Sequence, residues 1–222
     1  MTSAEMADRP DVNEMVVIHR VFRREFRAIP ALIRAVAPGD TTRSALLADH
    51  ATQMLMFLDV HHHGEDELLW PVLLERVDLH ADLVRRIAAQ HDAVSALITK
   101  AGEQLPEWAA EPSRIAGESL AAVIDDLAQT LFAHLDEEEQ QILPLVEKHL
   151  SVDEWTKLGA HGRSQLTTPK QQMQILGAIL EETTPEERAR MFAPMPPPVR
   201  EGWTTKGQPA YDAYIVAVRQ AG

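Results

Sequence analysis

The chain contains no cysteine. This excludes disulfides, a thiolate nucleophile and any zinc site built on cysteine sulfur. No apolar run approaches the roughly 18 residues of a membrane span, and residues 1–11 are polar rather than the apolar core of a secretory leader. These absences favour a cytoplasmic protein with no membrane partner. Positive charge is also scarce: 21 Lys and Arg against 34 Asp and Glu give a net charge of −13. Phosphate backbones would be repelled, which argues against a nucleic-acid partner, whereas cations bound among buried carboxylates would be compatible with it. Strand signals, meaning β-branched alternation bounded by turns, are nearly missing.

What remains is helical. The 222 residues, 45% of them apolar, suffice for one domain with a real core and an appendage. Periodicity predicts a first helix over residues 11–36, with Pro30 as a kink point. Pro38-Gly39-Asp40-Thr41 reads as a turn that ends in an N-cap. A second helix is expected to about residue 76, a third over 79–104, a loop over 106–112 and a fourth helix over 113–150. The fold class is therefore all-α, an antiparallel up-down four-helix bundle over residues 11–150. Residues 151–222 read as a helical C-terminal extension packed on that bundle. Within it, Ser151-Val152-Asp153-Glu154 is a capping box and Thr184-Pro185-Glu186-Glu187 a second helix start. Pro194-Met195-Pro196-Pro197-Pro198 reads as an extended segment, and a last helix over 211–219 is anchored by Tyr211 and Tyr214.

The chemistry begins at residues 61–71, H-H-H-G-E-D-E-L-L-W-P. Helical geometry pairs residues four apart, so three His–acid pairs compete. Residues 132–144, F-A-H-L-D-E-E-E-Q-Q-I-L-P, decide between them. Aligned on Pro71 and Pro144, both segments read H-x-x-x-E-x-x-x-x-x-P, which selects His61 with Glu65 and His134 with Glu138. Each pair fills a gap in an apolar stripe. His19 interrupts the stripe Met15, Phe22, Phe26 and Ile33, and His91 interrupts Val84, Ile87, Val94 and Ile98. At about 1.5 Å per residue, His19 and His61 stand about 26 and 30 Å from the turn between them, so the six groups converge at one level. His62 and His63 read as surface or flanking groups. His50 and His149 read as packed or partly exposed, and His80 and His161 as loop or tail residues. The acidic runs are expected to be solvated apart from Glu65 and Glu138, with Asp66 or Glu137 orienting a ligand histidine.

Buried charge requires a partner or a metal. Imidazole and carboxylate donors suit iron, manganese or zinc. Two carboxylates from two helices can bridge two cations, with His19 and His61 on one and His91 and His134 on the other. The ordered pattern H…H-x-x-x-E…H…H-x-x-x-E, met by His19, His61, Glu65, His91, His134 and Glu138, resembles the hemerythrin family, specifically the hemerythrin HHE cation-binding domain. The resemblance implies a four-helix bundle around a non-haem di-iron centre with oxo or hydroxo bridging, zinc or manganese being the lesser candidates. It implies a small-molecule ligand: dioxygen, peroxide or nitric oxide. Oxygen-carrying members have a second His one turn away on the third helix, where this chain has Ile87 and Ser95, and H-x-x-x-x-D on the last helix, where it has His134 and Glu138. These departures resemble the hemerythrin-like branch associated with peroxide, nitric oxide or iron-level responses, and the Pro-rich tail is similar to that of actinobacterial members. A metal- or redox-responsive sensor module and a closed structural zinc site are the competing readings.

Overall fold

A computed structural model describes residues 9–220. Every regular element among them is helical, and no described helix is long and apolar enough to cross a membrane. The first part of the chain forms α1 (Asn13–Arg34), α2 (Thr41–Leu68), α3 (Trp70–Arg76), α4 (Ala81–Ala110), α5 (Arg114–Glu137) and α6 (Leu143–His149). The α1–α2 turn works because Gly39 adopts φ 81°, a left-handed angle that carries no Cβ penalty in glycine. Asp40 then caps α2 by accepting the Arg43 amide. The Gly39 amide donates to the Pro112 carbonyl at 2.9 Å, which sets the α1–α2 turn beside the start of α5. At the opposite end Arg76 donates to the His149 carbonyl at 2.7 Å, which joins the ends of α3 and α6.

Four expectations are corrected. The second helix is not continuous to residue 76: it breaks at Leu69 and restarts as α3 with Pro71 in its first turn. The fourth breaks in the matching place, through a π turn at Glu138–Ile142, and restarts as α6 with Pro144 in its first turn. In both, proline has no N–H to continue the ladder. The third helix runs through Pro106 to Ala110, because Leu105 and Trp108 beyond the expected stop are buried in the core and hold the last turn. Pro197 and Pro198 are not extended; they open a short helix, Pro197–Gly202, where a missing N–H costs nothing.

The apolar interior falls into two clusters. One contains Phe22, Phe26, Leu58, Val94 and Leu135; the other contains Met15, Leu69, Trp70, Ile87 and Ile142. Between Met15 and Phe22 lies His19, between Leu58 and Leu69 lies the His61–Glu65 stretch, between Ile87 and Val94 lies His91, and between Leu135 and Ile142 lies Glu138. Each long helix thus crosses one polar layer sandwiched between two dry ones.

The remaining chain forms α7 (Val152–Ser164), α8 (Pro169–Glu181), α9 (Pro185–Phe192), α10 (Pro197–Gly202) and α11 (Gln208–Arg219). Three of these begin with complete capping boxes, at Ser151, Thr168 and Thr184. Ile175, Trp203, Tyr211 and Ile215 bury themselves in the first apolar cluster. Gly177 leaves no room for even a Cβ, which would fall 2.1 Å from the Tyr211 ring. Arg43 donates to the carbonyls of Ala217, Val218 and Gln220, closing the C-terminus of α11 onto α2.

A buried polar cluster ties α1, α2 and α11 together. His50 lies 2.7 Å from the Tyr214 hydroxyl through Nδ1 and 3.1 Å from the Glu25 carboxylate through Nε2. Burial pushes the Glu25 carboxyl up, but the hydrogen bond from His50 and the Arg24 guanidinium outweigh it and hold the group at about 2, against a usual 4.5. A depressed acid contributes stability above its unfolded value and loses it as pH falls through the folded one. The stability difference between the parent and a Glu25→Gln variant is expected to shrink by about 3 kcal/mol between pH 6 and pH 2. Urea denaturation of both proteins across that window measures it, and a constant difference rules the attribution out.

Candidate metal centre

The polar layer is assembled from four helices. α1 supplies His19, α2 supplies His61, His62 and Glu65, α4 supplies His91, and α5 with its π turn supplies His134 and Glu138. All are buried or nearly so; Glu65, Glu138 and His19 have 0% exposure. Their donor atoms form two groups, each with all atoms within 4.8 Å of one another: His19, His61, Glu65 and Glu138 in one, and His62, Glu65, His91 and His134 in the other. Glu65 belongs to both. His61 Nε2 is 3.2 Å and His91 Nε2 3.3 Å from its carboxylate oxygens, while His19 Nε2 is 3.4 Å from Glu138.

Outside the layer, further side chains fix the rings. His19 Nδ1 faces Glu139 at 2.8 Å, and Glu139 is itself held by Arg23 at 2.6 Å. His91 Nδ1 faces Asp66 at 2.8 Å. His134 Nδ1 faces the Gln90 amide oxygen at 2.9 Å, and the Gln90 amide nitrogen donates to Glu137. An Nδ1–H donated outward leaves the Nε2 lone pair turned inward, the tautomer a cation needs. The inward atoms are short of partners: both oxygens of Glu65 and of Glu138, and Nε2 of His62, His91 and His134, are buried without a hydrogen bond. An orphaned buried polar atom costs about 1–3 kcal/mol, so seven in one layer call for a shared counter-charge. Burial pushes the carboxyls of Glu65 and Glu138 up, that of Glu138 to about 8 with the charge of Glu65 adding to it. It pushes the imidazoles of His61, His62 and His134 down, that of His134 to about 3. A cation would stabilise the ionised carboxylates and the unprotonated rings together.

The structure brings all six residues of the sequence pattern into this layer. It also corrects the reading of His62 as a surface or flanking group: the ring is buried and stacks on His91 at 4.0 Å, while His63 beside it is exposed. Three residues before Glu65, His62 shares its helix face, and that spacing was the available signal. Asp66 does orient a ring. Glu137 acts only through Gln90, and the Glu139 contact to His19 was hidden within a run read as solvated. His50, Tyr211 and Tyr214 make their contacts elsewhere: His50 with Glu25 and Tyr214, Tyr211 with Glu181. Replacing Asp66 with asparagine should weaken metal retention about 10- to 100-fold by loosening His91. A chelator competition titration measures this, and parent-like retention would remove Asp66 from the site.

A layer of imidazoles and carboxylates facing inward from several helices defines a metal-binding helical bundle. The sequence comparison agrees: residues 11–146 match the hemerythrin HHE cation binding domain, and the chain belongs to that family. No curated protein and no solved structure matches the chain.

Proposed function

We propose that the chain holds a pair of iron ions in this layer and that the pair binds or turns over a small oxidant, dioxygen, peroxide or nitric oxide. The observation that carries the reading is the set of two four-residue groups sharing Glu65, with buried donors that have no hydrogen-bond partner. In this reading His19, His61 and Glu138 would hold one ion, His62, His91 and His134 would hold the other, and Glu65, a member of both groups, would serve both. All-nitrogen and oxygen donors without sulfur suit iron, and the iron would supply redox chemistry and coordination positions for the oxidant. Both groups offer four donor residues: three imidazoles and one carboxylate in one, and in the other two imidazoles, His19 and His61, with two carboxylates. Phe22, 5.2 Å from the His61 ring, walls that side against water. Residues 11–150 act as an antiparallel up-down four-helix bundle, a reading supported by the alternating order in which the chain crosses the two apolar clusters. Residues 151–222 are then its extension.

The test is metal analysis of protein made in iron-replete medium, followed by absorption spectra of the reduced protein mixed with each oxidant. Two irons per chain and a spectral response to at least one oxidant are expected. Zinc in place of iron, or no response to any of the three, overturns the proposal.

A further inference from the structure

The buried Glu25–His50–Tyr214 cluster has the parts of a proton-coupled redox relay. With the Nε2–H of His50 donated to Glu25 at 3.1 Å, Nδ1 is free to accept the Tyr214 hydroxyl at 2.7 Å. The position of the cluster is as telling as its chemistry. From His50, α2 carries Met54, Phe57 and His61 at steps of four, three and four residues, which places them along one face. Met54 and Phe57 are buried, and Phe22 bridges onward, 5.0 Å from Phe57 and 5.2 Å from His61. His50 and His61 are about 16 Å apart along the helix axis, and the face between them is dry and packed. Tyr214 is only half-buried, so its outer edge is open to donors in solution.

We propose that Tyr214 is a redox-active tyrosine that feeds single electrons to the metal centre along this face, with His50 holding its proton. The inference rests on the iron reading above. In each turn the Tyr214 phenol loses one electron toward the centre, and its O–H bond breaks as the proton moves to His50 Nδ1. The product is a neutral tyrosyl radical beside an imidazolium that is paired with Glu25. A one-electron reductant of the phenol or hydroquinone class then returns an electron, releasing its own proton to solvent and leaving as a phenoxyl or semiquinone radical, and the proton on His50 moves back to Tyr214. Hydrogen peroxide as the oxidant takes two electrons from two such turns, and two protons from solvent, to leave as two waters. Burial raises the Tyr214 phenol above its usual range, so proton loss accompanies electron loss instead of preceding it.

Iron-loaded full-length protein, mixed with hydrogen peroxide and frozen, tests this by electron paramagnetic resonance. The expected result is an organic radical whose signal narrows when the tyrosines are ring-deuterated. The chain has two tyrosines. Tyr211→Phe should keep the radical and Tyr214→Phe should remove it, with folding of both checked by circular dichroism. Should Tyr214→Phe fail to fold, deuterium-labelled Tyr211→Phe protein decides alone. His50→Phe should slow radical formation on the order of 10²-fold, because the proton acceptor is gone. If the absorption of the centre responds to peroxide but no tyrosyl radical forms, or one persists in Tyr214→Phe, the relay is wrong and the iron reading stands. If the absorption does not respond to peroxide, the relay falls, and the iron reading falls with it only when dioxygen and nitric oxide also leave the spectrum unchanged.

Discussion

Replacing Glu138 with glutamine is expected to destabilise the metal-loaded protein and stabilise the metal-free one. The loaded protein loses a carboxylate of the shared layer, and with it most of the stability that metal binding contributes. For the parent that contribution is about 4 kcal/mol at a free-metal concentration 1,000 times Kd. The metal-free protein gains because Glu138 is buried beside Glu65, and its carboxyl is pushed up to about 8 from the usual 4.5. An acid with a raised folded pKa favours folding only while protonated. Its penalty is absent below pH 4.5, grows as pH rises, and is complete above about 8. At pH 7 the penalty in the parent is about 3 kcal/mol, and the neutral amide of glutamine does not carry it. For a chain of this length that is a rise in Tm of roughly 5–10 °C for the metal-free variant. Calorimetry of stripped protein at pH 4.5, 7 and 8.5 checks both sign and window: the variant's advantage should be nearly nil at the first and largest at the last. A stripped variant less stable than stripped parent at every pH would mean that Glu138 is held by contacts other than a cation.

The two halves of that expectation were unequally visible in the sequence. The inward position of Glu138 was legible because two segments repeat one spacing, and because each His–Glu pair interrupts an apolar stripe that has nowhere to point but the core. The repeat's prolines carried more than alignment. Pro71 and Pro144 each fall just after the metal-facing glutamate, where the helix breaks and restarts; the sequence pattern shows the prolines but not whether the chain answers with a break or a π turn. Pro106 looked like a stop and is not one, because burial of Trp108 outweighs one missing hydrogen bond. The residues that orient the rings were harder to see. Glu139 and Asp66 lie in acidic runs whose composition suggests a solvated face, and Gln90 sits on a different helix from the ring it holds. Such contacts depend on the rotation of one helix against another, which stripe spacing fixes only to within a residue or so. The Glu25–His50–Tyr214 cluster was out of reach for the same reason, since it joins positions 25, 50 and 214.

His62 is where that rotation matters most, and replacing it by phenylalanine is expected to cost the protein one of the two cations proposed for the layer. Adjacent helix positions differ by about 100°, so a stripe centred on His61 leaves its neighbour undecided between core and surface. The packing decides for the core: His62 completes a group with Glu65, His91 and His134, while the group of His19 and His61 is complete without it. Two bland roles compete with ligation, filling volume and stacking on His91, whose ring lies 8° from parallel to that of His62. Phenylalanine preserves both and removes only the nitrogen. If His62 ligates, iron content should fall from about two per chain toward about one, with affinity for the lost ion down by 10²-fold or more, a loss at least as large as that from disturbing an outer hydrogen bond. His63→Phe, one residue along and exposed, should leave both ions in place. Metal analysis after gel filtration, with a competing chelator to rank affinities, separates the outcomes. Full occupancy in His62→Phe would make His62 a wall of the centre and return the ligand set to the six residues of the repeating pattern.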